Sequence, residues 1–153
     1  MSLEPHESAT LATVRRIILG LVALGTIGMT AELVLVGHYE DGNQLIPLAL
    51  AGAGLVAMTA MRLAPGVATF RAFQFVMLLY AGAGVIGITL HYKANASHLH
   101  ETEPGLQGVA LVKKVVTSAA PPALAPGLMV QLALLGLSYT YKHPQLTGVE
   151  ADR

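Results

Sequence analysis

Glu32, His38, His91, His98 and His100 are the side chains of this chain whose types and spacing could support chemistry. Glu32 sits inside an apolar run at 17–37, six positions before His38 and so ~9 Å from it along a helix. A carboxylate among hydrocarbon is costly unless protonated, paired or wetted. Gly25, Gly28 and Glu32 recur at i, i+3, i+7, which predicts a single helix face turned toward other helices. There the carboxyl is a proton relay, a counter-ion or a metal ligand, and a small proton- or ion-transport protein centred on Glu32 follows. The competing reading is a protonated Glu32 hydrogen-bonded to Gln131 or Gln44 of a neighbouring segment.

The histidines are gathered at one end. His38, His91, His98 and His100 fall with Glu40, Asp41, Glu101 and Glu103 in segments expected on the outer side. Tyr80, Gly84, Gly87 and His91 follow i, i+4, i+7, i+11 and share a face that the glycines mark as packed. Parallel runs one and three then bring His38 and His91 to similar depth. Two imidazoles on different helices suit a haem or a divalent metal, and His98 and His100 add a pair if their stretch is extended. The simpler reading, no cofactor, is preferred. The spacing is looser than haem or metal sites usually show, and amphipathic imidazoles are common at membrane ends.

What must position these groups is a set of four apolar runs, at 17–37, 45–61, 73–90 and 124–141. Each matches the roughly 17–25 residues that cross the ~30 Å hydrocarbon layer. Of the 153 residues, 54% are hydrophobic and 12% charged, against about a quarter charged in soluble domains. The expectation is an all-α integral membrane four-helix bundle over 15–143, between terminal segments 1–14 and 144–153. An outer loop at 93–122 is expected to carry a short amphipathic helix over 105–117. The double proline at 121–122 and Pro126 predict an extended or kinked entry to the fourth span, with a clean helix from Gly127.

Zero net charge without a basic stripe argues against nucleic acid, and the absence of cysteine removes thiolate chemistry. No phosphate-binding loop, zinc-hydrolase helix, serine elbow or dinucleotide fingerprint occurs. Six Lys and Arg fall on the side of the termini and three on the other, which predicts both termini in the cytoplasm, in a membrane of the bacterial inner type. Apolar burial gives membrane helices no mutual attraction, so small residues must mediate close packing. Gly25 and Gly28, Ala49, Ala53 and Ala57, and Ala83, Gly84 and Gly87 are the candidates. The leading expectation is a non-enzymatic accessory or scaffold subunit that associates with other membrane helices or with itself.

Overall fold

The computed structural model describes residues 5–118 and 124–147. Their regular structure is entirely helical: α1 (Pro5–Leu35), a 3-10 turn (Gly42–Gln44), α2 (Leu45–Leu63), α3 (Val67–Thr102), α4 (Gly108–Val116), α5 (Leu124–Thr140) and a last turn, α6 (Pro144–Thr147). Three stretches, Ala9–Leu35, Gly42–Leu63 and Val67–Thr102, are long and apolar enough to cross a membrane. Helix α5 is equally apolar but has 17 residues, about 25 Å.

Local chemistry explains the breaks. Gly37, at φ 70°, follows the last turn of α1 in the left-handed region. Its N–H donates to Val34 O and the N–H of His38 donates to Leu33 O, the paired bonds of a Schellman stop. Pro65 and Gly66 separate α2 from α3, and Thr69 closes the new helix by accepting the Gly66 N–H on its hydroxyl at 3.2 Å.

Helices α1 and α3 each pack against both α2 and α5. The α3–α5 seam runs antiparallel from Phe70 against Tyr139, through Phe73 and Met77 around Gly136, to Gly84 beneath Pro126 and Val130. Helix α1 meets α5 in the same sense, with Arg15 at Tyr141 and Gly25 under Leu132. Gly54, Gly84, Gly136 and Ala133 lie inside, whereas Leu24, Val56 and Ile86 are 68%, 69% and 61% exposed. Large aliphatics outside and small residues at the contacts suit a lipid surround; in water such a belt would aggregate.

Several boundaries differ from the sequence expectation: α1 begins at Pro5 rather than 17 and α3 at Val67 rather than 73, since helices extend past their apolar runs. The third span was expected to end at Leu90, but α3 continues to Thr102, so the first part of the expected outer loop is helical. Polar residues end the apolar run there; nothing ends the helix until Pro104 and Gly105. The extra 12 residues add ~18 Å. Helix α4, shorter than expected, folds back along this extension. Val115 is fully buried, Lys114 pairs with Glu103, and Asn95 Nδ2 donates to Ser118 Oγ at 3.1 Å. Helix α5 is helical from Leu124 rather than Gly127, because a proline in a first turn forfeits no intrahelical donor. The double proline at 121–122 lies outside the described residues.

Candidate functional site

The Schellman stop at Gly37 turns the chain so that His38 sits above the end of α1, where it meets His91 of α3. Their rings stack with centroids 6.1 Å apart and planes inclined by 30°. Burial, and then repulsion from His91, holds the His38 imidazole below its ordinary pKa of 6.5. A base depressed in the folded state binds protons more readily when unfolded. Its contribution to stability is therefore present above pH 6.5 and is lost as pH falls through the folded value. We expect the thermal midpoint of the detergent-solubilised protein to fall as the pH drops below 6.5, and His38→Gln to reduce that slope. An unchanged slope in the variant would place the titrating group elsewhere.

His98 and His100 do not join this pair. Both are exposed on the α3 extension, His98 seven residues beyond His91 and so ~10 Å further out. Because the stretch is helical rather than extended, side chains two apart diverge by about 200°. Among the described residues, no three His, Asp or Glu side chains converge as a metal cage.

Glu32 occupies a different face from the one its spacing suggested. The buried stripe of α1 is Val22, Thr26, Met29 and Leu33; Glu32 is exposed and, among the described residues, its carboxyl makes no hydrogen bond or ion pair. Gln44 is used locally, its Oε1 accepting the N–H groups of Glu40 at 2.9 Å and Asp41 at 3.3 Å. Gln131 is exposed beside buried Leu132 and Ala133. The small residues divide in two. Gly25, Gly84 and Gly87 touch α5, Ala57 is buried and Ala83 half-buried, but Gly28 has open space where a Cβ would go, and Ala49 and Ala53 are exposed.

Two groupings escaped the sequence reading. Thr26 of α1 and Tyr80 of α3 are fully buried, and neither hydroxyl makes a hydrogen bond of good geometry. Gly54 of α2 makes room for the Tyr80 hydroxyl. A tyrosine centred in an apolar run was the available signal, but no periodicity pointed to Thr26.

The second grouping lies at the opposite end of the helices from His38. Arg15 Nη2 donates to Tyr141 O at 3.1 Å and Lys142 O at 3.0 Å, meeting the negative end of α5. His143 lies beside Phe70 and Tyr139, with centroids at 4.3 and 5.4 Å, and its Nδ1 accepts the Gln145 N–H at 3.3 Å. Burial and the Arg15 charge both lower its pKa, consistent with a neutral ring.

No known protein family, curated protein or solved structure matches the chain.

Proposed function

We propose that this is a four-span helical membrane protein, with both ends in the cytoplasm, that acts as a non-enzymatic scaffold subunit joining other membrane helices or further copies of itself. One observation carries the reading. Gly28, Ala49 and Ala53 and the polar Glu32 and Gln131 are turned outward, where the protomer makes no use of them. Small residues in lipid are useful where another helix approaches, and a carboxyl near the end of a span is less costly against a partner's donor than against acyl chains. Three apolar helices of spanning length support the membrane setting.

Extraction in mild detergent or native lipid, followed by mass measurement, is expected to give a particle heavier than one chain. Gly28→Leu should reduce the assembly without lowering the protomer's melting temperature, since a Cβ there meets nothing within 4 Å. A monodisperse monomer from both media would overturn the proposal.

A second reading is favoured by the His38–His91 stack: a two-imidazole module for a divalent metal or haem at the outer rim. Elemental analysis and visible absorption of the purified protein decide it, and a colourless, metal-free sample ends it.

A further inference from the structure

The chain leaves α5 through an unusual residue. Lys142 has φ 46°, a left-handed backbone that side chains other than glycine rarely adopt. That turn folds the next residues back over the end of the α3–α5 seam, where α6 packs against α3 and Leu146 is half-buried on the core. His143 joins the two parts. Its ring centroid lies 4.3 Å from that of Phe70, which is almost wholly buried, and 5.4 Å from that of Tyr139. Its carbonyl accepts the N–H groups of Leu146 at 2.8 Å and Thr147 at 3.2 Å, and its Nδ1 accepts that of Gln145 at 3.3 Å.

An imidazole nitrogen accepts a hydrogen bond only while it carries no proton. Protonation would turn Nδ1 into a donor facing the Gln145 N–H. It would also set a second cation beside Arg15, whose Nη2 is held on the Lys142 carbonyl at 3.0 Å. Aromatic faces attract cations, but this corner already has the Arg15 guanidinium and the Lys142 ammonium, 5.5 Å from the Tyr141 ring. We propose that His143 is a pH-operated latch: neutral, it clamps the turn at 144–147 over Phe70; protonated, it releases that turn and the chain that follows.

Burial first, and then the Arg15 charge, holds the clamped ring below its ordinary pKa of 6.5. A base depressed in the clamped form binds protons more readily once released. The clamp therefore holds above pH 6.5 and fails as pH falls through the clamped value. Among the described residues, the ionisable neighbours are Arg15 of α1, Arg71 next to Phe70 in α3, and Tyr139 and Lys142 around the end of α5; Arg62 closes α2 at the same end. None of these is an acid. Glu4, Glu7, Glu150 and Asp152 of the terminal segments are not among the described side chains, and any hold they have on His143 would reverse the sign of the response.

The chain has no cysteine, so a single nitroxide can be placed on the exposed position 145 through Gln145→Cys. Electron paramagnetic resonance of the full chain in detergent is then recorded while the pH is lowered from about 8. The mobile component of the spectrum is expected to grow about threefold below pH 6.5. His143→Gln should abolish that dependence, and a label at Thr59→Cys, on the exposed side of α2, should not respond. Repeating the titration with Thr147→Cys guards against disturbance by the probe. Spectra that are fully mobile at both positions above pH 7, or that ignore pH, overturn the latch. So does an equal response in His143→Gln or at Thr59, which would make the change a general loosening. Mobility that falls on acidification would mean that a carboxylate holds the charged ring in place, and would overturn it too.

Discussion

Gly84→Val should lower the unfolding free energy of the detergent-solubilised protein by about 3 kcal/mol, the upper end of overpacking costs in well-packed interiors. A Cβ at Gly84 would lie 2.6 Å from Pro126 O, 2.7 Å from Val130 Cγ2 and 3.2 Å from Val130 N. Two of these atoms are backbone, so no rotamer change relieves the contact; α3 and α5 must separate. That seam includes Phe70, Phe73 and Met77 against Tyr139 and Gly136, so a local separation loosens a large share of the core. Gly82→Val is the control. It changes the same helix two residues away, at a position with nothing within 4 Å. Thermal or denaturant unfolding of the two variants should give a large loss for Gly84 and little or none for Gly82. Equal losses would mean that helix propensity, not the α3–α5 contact, sets the cost.

Gly54→Ala should be the second damaging change, and Tyr80→Phe should rescue it. The added Cβ would sit 2.7 Å from the Tyr80 hydroxyl oxygen, but 3.2 Å and 3.4 Å from the ring carbons Cζ and Cε2. Removing the hydroxyl removes the worst contact and leaves two that a small helix shift accommodates. A buried hydroxyl without a partner costs about 1–3 kcal/mol, so Tyr80→Phe alone should be neutral or stabilising, and Thr26→Val with Tyr80→Phe should behave the same way. The double-mutant cycle between positions 54 and 80 should show favourable coupling of about 1–2 kcal/mol. If the two effects simply add, the approach of α2 to Tyr80 does not limit packing there.

The helical class and the apolar stretches were legible because a helix that satisfies its own backbone needs only length and hydrophobicity to announce itself. The meeting of His38 with His91 could be anticipated by counting residues along two parallel helices. The inward face of α1 could not. Almost every side of that helix is apolar, so Val22–Thr26–Met29–Leu33 and Gly25–Gly28–Glu32 are equally periodic. The choice is made by α2 and α5, whose approach the α1 sequence does not encode. The same limitation hid Thr26 and Tyr80, whose burial follows only once helices 54 residues apart in sequence are packed. Polarity also misplaced the end of α3, since an apolar run reports the thickness of the oil rather than the length of the helix.

The overlong α3 has a mechanical consequence. Its outer third is braced by α4 and is continuous with the segment that grips α5, so the molecule carries a stiff lever fixed at one end in its tightest joint. A pull near Glu103 acts along α3 first on the His38–His91 stack and then on the Gly84–Pro126 contact. Anything that docks on the α3 extension thereby bears on the packed joint between the third and fourth long helices.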